Sequence, residues 1–297
     1  MGIQRIESVT YTVDDLDTNV RFFTDFGLTP ISQSQDRAVF QTRIRQTLIL
    51  DAAARPDLPP PVENGPTLRE IVWGVDTPAE LDRLAEKAGA AGEGVRRTVD
   101  RTGFGVGLTL VGETGPEHEP PRISNKSGYV VRVNRALESV GPVRPIRMCH
   151  VALNIPKEGR EEAVAFYTDL LEFIPTDVVK PMGTFMRVEG DADQHNFLLC
   201  HRPDRAGVNH VSYEVNGFDD VIEGGNHMIE RGWQEARKLG RHTVGSNVFR
   251  FVHAPCGGRV ELAADMDRID DSYGTRVHET TPPHHIWTLR TNRDRGE

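Results

Sequence analysis

Residues 5–16, RIESVTYTVDDL, alternate apolar and polar side chains with the period of a half-buried strand. Residues 20–28, VRFFTDFGL, then place apolar residues at helical spacing and stop at a glycine. The same change recurs later in the chain, where RMCHVALNI at 147–155 leads into VAFYTD at 164–169, 144 positions after VRFFTD. A second pair, LREIVWGV at 68–75 and VNHVSYEV at 208–215, stands at an offset of 140. Each member precedes a helix-like segment, PAELDRLAEKAGAAG or FDDVIEGGNHMIERG. A third echo sets VGLTL at 106–110 against VELAA at 260–264. The pattern predicts an α+β chain made of two copies of one module, each built from two strand–helix–strands units. The copies span 1–140 and 146–275, a Gly-Pro-rich linker covers 141–145, and a tail covers 276–297. The polar, Pro-rich segment 113–127 reads as a surface excursion, and the charge run 290–295 as a disordered terminus.

Composition narrows the function classes. At 297 residues, 37% hydrophobic and 27% charged, the chain has enough apolar content for two packed domains. A net charge of −9 with no basic stripe argues against nucleic acid and anionic membrane as partners. No apolar run is long enough to cross a bilayer, and the opening MGIQRIESVT lacks a signal-peptide core. Three widely spaced cysteines, Cys149, Cys200 and Cys256, with no CxxC, point to reduced thiols and a cytoplasmic location.

Candidate chemistry concentrates in residues 241–267. Glu261 sits in the apolar run Val260-Glu261-Leu262 after the turn formers Cys256-Gly257-Gly258, and a carboxylate buried in a strand has to be paired or bound to metal. His150 and His210 occupy strand-like runs of their own, so three potential ligands fall on three separate strands. The first copy has Ser8, Glu70 and Gly107 at the matching places, so the comparison predicts one metal site, in the second module only. His242 and His253 lie just upstream of Glu261, and His284-His285 fall in a tail expected to pack over the site. His118, His201, His227 and His278 stand in polar contexts and read as solvent-facing.

The run Gly240-Arg241-His242-Thr243-Val244-Gly245-Ser246-Asn247, followed by Phe249, Pro255, Gly257 and Glu261, resembles the signature of type I extradiol ring-cleaving dioxygenases of the vicinal oxygen chelate superfamily. His150 in CHVALN and His210 in VNHVSYEV match the two metal histidines of that family. The resemblance covers nearly the whole chain. It implies two tandem vicinal-oxygen-chelate domains, each of paired βαβββ modules forming an open barrel, with metal in the C-terminal one. It further implies Fe(II), or Mn(II) on the same donors, held by His150, His210 and Glu261. His195 and His242 would be the catalytic histidines, handling protons and orienting the ring, and Phe185, Asn247 and Phe251 would contact substrate. The implied reaction inserts both atoms of dioxygen into a catechol-type ring beside its hydroxyls, in a homo-oligomeric enzyme. Two positions depart from the family: Phe251 replaces a tyrosine, and Gln194 precedes His195 where paired histidines often stand. A glyoxalase-like lyase or isomerase, and a catechol-binding protein without turnover, are the alternatives. Ser8 and Gly107 argue against the first, because such sites draw ligands from both modules.

Overall fold

The computed structural model describes residues 2–52, 55–115, 125, 127–137 and 141–290. Most of the expected excursion, including His118, and the charge run beyond residue 290 lie outside these residues.

The expected two-module α+β architecture is present. The first module contains β1 (Ile3–Thr12), α1 (Leu16–Asp25), β2 (Thr29–Gln33), β3 (Arg37–Gln41) and β4 (Thr47–Asp51). It continues through β5 (Thr67–Val75), α2 (Pro78–Ala88), β6 (Arg96–Val99) and β7 (Gly105–Leu110). These strands form a seven-stranded sheet in the order β2-β3-β4-β1-β5-β7-β6. The helices begin where the sequence offers caps. Asp15 accepts from the Thr18 N–H before α1, and Thr77 accepts from the Glu80 N–H before α2, whose first residue is Pro78. Gly89, in the left-handed region at φ 64°, ends α2 and lets Leu81, Leu84, Ala85 and Ala88 face the sheet.

The second module repeats the plan with β8 (Arg147–Pro156), α3 (Arg160–Ala165) running into a π-helical turn over Phe166–Leu170, β9 (Ile174–Val179), β10 (Gly183–Arg187) and β11 (Phe197–Arg202). Its other half is β12 (Gly207–Glu214), α4 (Phe218–Glu230), β13 (Glu235–His242), β14 (Val248–His253) and β15 (Arg259–Ala264). The tail adds β16 (Arg276–His278) and β17 (His285–Thr288). The sheet is ten-stranded, β16-β9-β10-β11-β8-β12-β15-β14-β13-β17, so the two tail strands sit on its opposite edges. Only residues 279–284 join them, and an extended connection of that length reaches at most roughly 25 Å. The sheet therefore curls until its edges nearly meet. No helix among the described residues is long and apolar enough to cross a membrane.

Register places the candidate ligands. Ser212 on β12 lies opposite His150 on β8 and also opposite Glu261 on β15, while His210 precedes Ser212 by two residues on the same face. A slip of one residue in any of these pairings would send a ligand to the other face. The matching row of the first module is Ser8, Val72 and Gly107, which verifies the correspondence drawn from the repeats. That row is closed by an ion pair, Glu70 to Arg97 at 2.7 Å. A Cβ at Gly107 would meet Val95 and Val72 below 3 Å.

The modules share one apolar core. Trp73 of the first packs edge-on to Phe173 and Phe197 of the second, at 4.9 and 5.7 Å, and Phe26 meets Tyr213 at 5.1 Å. Gln46 ties the inner strands together: its amide donates to the carbonyls of Ile6 and Met148 and accepts from the Met148 N–H. Gln46→Leu would leave these buried backbone groups unpaired, which costs about 1–3 kcal/mol. We expect a lower denaturant midpoint for that variant, and an unchanged midpoint would refute the role of this contact.

Candidate metal centre

Glu261, fully buried on β15, aims one carboxylate oxygen at the two histidines. Its Oε2 lies 3.0 Å from His150 Nε2 and 3.4 Å from His210 Nε2, and the two imidazole nitrogens are 3.0 Å apart. One donor atom from each residue falls within 4.8 Å of the others. The Oε2 contacts are at ion-pair distance, yet that atom makes no hydrogen bond. Three electron-pair donors converging in a buried space suit a shared cation better than one another. Two imidazoles and a carboxylate are a donor set for a divalent first-row metal, so the residues present fit such an ion.

Each histidine is oriented by the residue before it. Asn209 Oδ1 accepts from Arg259, which fixes its amide, and at 2.9 Å it takes the Nδ1 proton of His210, leaving Nε2 as a lone pair. Cys149 Sγ lies 3.8 Å from His150 Nδ1. The third case is the most constrained. Gln194 donates through Nε2 to Thr176 at 3.1 Å and to Asp177 at 2.7 Å, so its Oε1 must accept from His195 Nδ1, at 2.7 Å. His195 Nε2 is then unprotonated, and its ring stands 4.5 Å from that of His150. Asp177 also accepts from Tyr273, and His278 Nε2 lies 2.5 Å from its other oxygen, which anchors this chain in the tail. A Cβ at Gly245, whose φ is 81°, would come within 3.2 Å of His195 Cε1. The positive φ favours glycine there, and an added side chain would crowd Met266 as well as the ring.

Electrostatics follow from burial. Burial and neighbouring His150 hold His195 well below the ordinary imidazole range, and burial does the same to His210. Burial opposes ionisation of Glu261, but the imidazoles of His150, His242 and His210 outweigh it and hold its carboxyl well below the usual carboxylate range. Glu261 Oε1 accepts from Asn247 Nδ2 at 3.1 Å, with His242 Nε2 at 3.6 Å.

The cluster opens on a cavity of about 120 Å³, of the order that holds one aromatic ring. His195, His242, Phe185 and Phe251 line it, and Pro282, Pro283 and His284 of the tail close it, as the sequence predicts for the tail. Asn247, expected on the substrate side, is fully buried and outside the cavity lining, where it bonds Glu261. His253 is exposed at the end of β14. Of the histidines read as solvent-facing, His227 is exposed, but His201 is buried with neither ring nitrogen bonded, and His278 is half-buried against Asp177. The sequence reading passed over Asn209, Asp177 and three arginines that line the cavity. Asn209 and Gln194 share one available signal, a side-chain amide carbonyl directly before a candidate histidine.

The family model described as Glyoxalase/Bleomycin resistance protein/Dioxygenase superfamily matches residues 5–132 and 148–262. Metapyrocatechase 2 of Cupriavidus necator is 32% identical over 142 residues, covering 48% of this chain and 42% of that protein. Biphenyl-2,3-diol 1,2-dioxygenase of Paraburkholderia xenovorans (strain LB400) is 27% identical over 142 residues, covering 46% of each. The matched part thus spans less than half the length of these curated relatives. The Mn(II)-bound glyoxalase from Novosphingobium aromaticivorans shares the fold, with a TM-score of 0.73 at 20% identity over 98% of this chain and 99% of that one.

Glu261→Ala removes the central donor, and we expect equilibrium dialysis to show stoichiometric divalent metal on the native chain and little on the variant. Equal uptake by both would refute the site. A second expectation concerns pH. Because the His210 pKa is lowered, its imidazole stays neutral through the ordinary imidazole value of about 6.5, and protons displace metal only below it. Occupancy at fixed free metal should therefore stay level from pH ~8 to ~6.5; half-loss at or above that pH would contradict the buried site.

Proposed function

Because this chain belongs to the glyoxalase/bleomycin resistance protein/dioxygenase superfamily, we propose that it cleaves a catechol-type ring with dioxygen at a divalent iron held by His150, His210 and Glu261. The observation that carries this reading is the single row of three donors, all from the second module, facing a cavity the size of one aromatic ring. The names of the two curated relatives, a metapyrocatechase and a biphenyl-diol dioxygenase, support the same chemistry. A glyoxalase-like site built from both modules finds no counterpart donors here, since Ser8 and Gly107 offer none and Glu70 is engaged by Arg97.

Divalent iron supplies a Lewis acid and a one-electron carrier between ring and dioxygen, and manganese accepts the same donors. The chain's own residues do the rest. His195, held as the Nδ1–H tautomer by Gln194, presents Nε2 as an acceptor for a catechol hydroxyl proton. His242, stacked on Phe249 at 4.0 Å, lies between the cavity and Glu261, where it can donate to a ring oxygen. Phe185 and Phe251 bound the ring as apolar walls and limit water. Phe251 offers no hydroxyl, so the proton work falls to the histidines. Asn247 holds Glu261 in place from behind.

Oxygen consumption by anaerobically iron-loaded protein over a panel of mono- and bicyclic catechols tests the reaction. Uptake with a coloured ring-opened product, lost in His210→Ala, is expected; stoichiometric iron with no uptake on any catechol would favour a binding protein instead. Gln194→Leu frees the His195 ring to flip. It should lower kcat about 10- to 100-fold with iron stoichiometry unchanged, and a normal kcat would remove His195 from the proton pathway.

A further inference from the structure

Three arginines line the cavity beside the metal ligands: Arg202 at the end of β11, Arg237 on β13 and Arg259 on β15. Arg202 and Arg259 are part-buried and Arg237 is exposed at the cavity, whereas several other arginines of this chain pair with carboxylates. Arg147 meets Asp191 at 2.6 Å and Asp193 at 2.5 Å, Arg250 meets Glu235 at 2.8 Å, and Arg97 meets Glu70 at 2.7 Å. Arg202, Arg237 and Arg259 have no carboxylate partner among the described residues. Arg259 donates to Asn209 and lies over the Phe251 ring at 5.1 Å, Arg237 lies over the same ring at 5.6 Å, and Arg202 donates to the His201 carbonyl at 3.1 Å. Among the described residues no carboxylate lines the cavity, and Glu261, behind its histidine wall, is taken up by the histidines.

Register says where these charges stand relative to the ligands. Arg237 is opposite Phe251, Phe251 is opposite Glu261, and Glu261 continues the row through Ser212 to His150. Two strand spacings, roughly 10 Å, therefore separate the Arg237 backbone from that of Glu261, with an aromatic wall between. Arg259 precedes Glu261 by two residues and shares its inward face. Like charges gathered around one cavity repel one another. An anion among them would relieve that repulsion, and a guanidinium fork matches a carboxylate in shape.

On the reading of this site as a catechol dioxygenase, we propose that its substrate carries a carboxylate on the side of the ring remote from the metal, received by Arg237 and Arg259, with Arg202 completing the cationic patch. The apolar walls then bind the ring, the metal ligands fix the two hydroxyls, and the arginines select the acid over its uncharged analogues.

The test is equilibrium binding rather than turnover. Dihydroxybenzoates and dihydroxyphenylacetates are titrated by calorimetry into the anaerobic, metal-loaded full chain beside their primary amides. We expect at least one acid to bind tenfold or more tighter than its amide, with the advantage shrinking at high salt. Arg237→Gln and Arg259→Gln should each lower the acid-to-amide ratio, a comparison made within one protein, so general loss of binding cancels. Should a variant fail to fold, the salt dependence of the ratio in the native chain decides. Equal binding of every acid and its amide overturns the proposal, even if neutral catechols are cleaved. An acid preference unchanged in both variants overturns it too, because the anion would then sit on the metal. Acid preference without oxygen uptake on any catechol upholds the anion subsite and removes the ring-cleavage reading instead.

Discussion

A carboxylate with no access to water cannot stay ionised without positive charge or hydrogen-bond donors close by. Glu261 meets that condition through His150, His210, His242 and Asn247, contributed by β8, β12, β13 and the turn before β14. Four separate pieces of chain must therefore be in register before this one side chain is tolerable. The curl of the sheet, the bulges that aim His210 and the glycine under His195 all serve that convergence. The electrostatics and the fold are one problem here, solved by the same strand pairings.

The first module shows the other solution. In its equivalent row Glu70 is also buried, and burial raises its carboxyl pKa, but Arg97 supplies a built-in cation where the second module gathers imidazoles. With that row closed, the module serves as a packing partner. Trp73 and Phe26 fill the seam against Phe173, Phe197 and Tyr213. The backs of the strands that carry His150 and His210 are held rigid by a neighbour with no donor set of its own in this row. Duplication thus left a pair of modules in which one gathers the donors and the other packs against it.

Much of this was legible in the sequence because it depends on local period and on repetition. His150, His210 and Glu261 could be singled out as polar residues in apolar strands that are not repeated as a set in the first copy, which has Ser8, Glu70 and Gly107 there. The supporting contacts were not legible, for a physical reason. Gln194 reaches Asp177 from the loop before β11 and Arg237 meets Phe251 across a strand pair, and the meaning of both depends on tertiary placement that composition does not reveal. His201 misled because its neighbours Arg202 and Pro203 are polar or turn-forming, yet β11 pairs it with Ile155 of β8 and the residue is buried. Asn247 shows the same limit: its place in a signature marks it as important without telling whether it faces a ligand or a neighbouring carboxylate.

The tail adds one more consequence. Without β16 and β17 the second sheet would end in β9 and β13, six and eight residues long, each a template for another chain to pair with. The tail replaces them with strands of three and four residues. The segment that roofs the cavity is thus also the guard against edge-to-edge association, so proteolytic trimming behind Thr275 would cost the protein its solution behaviour as well as its lid.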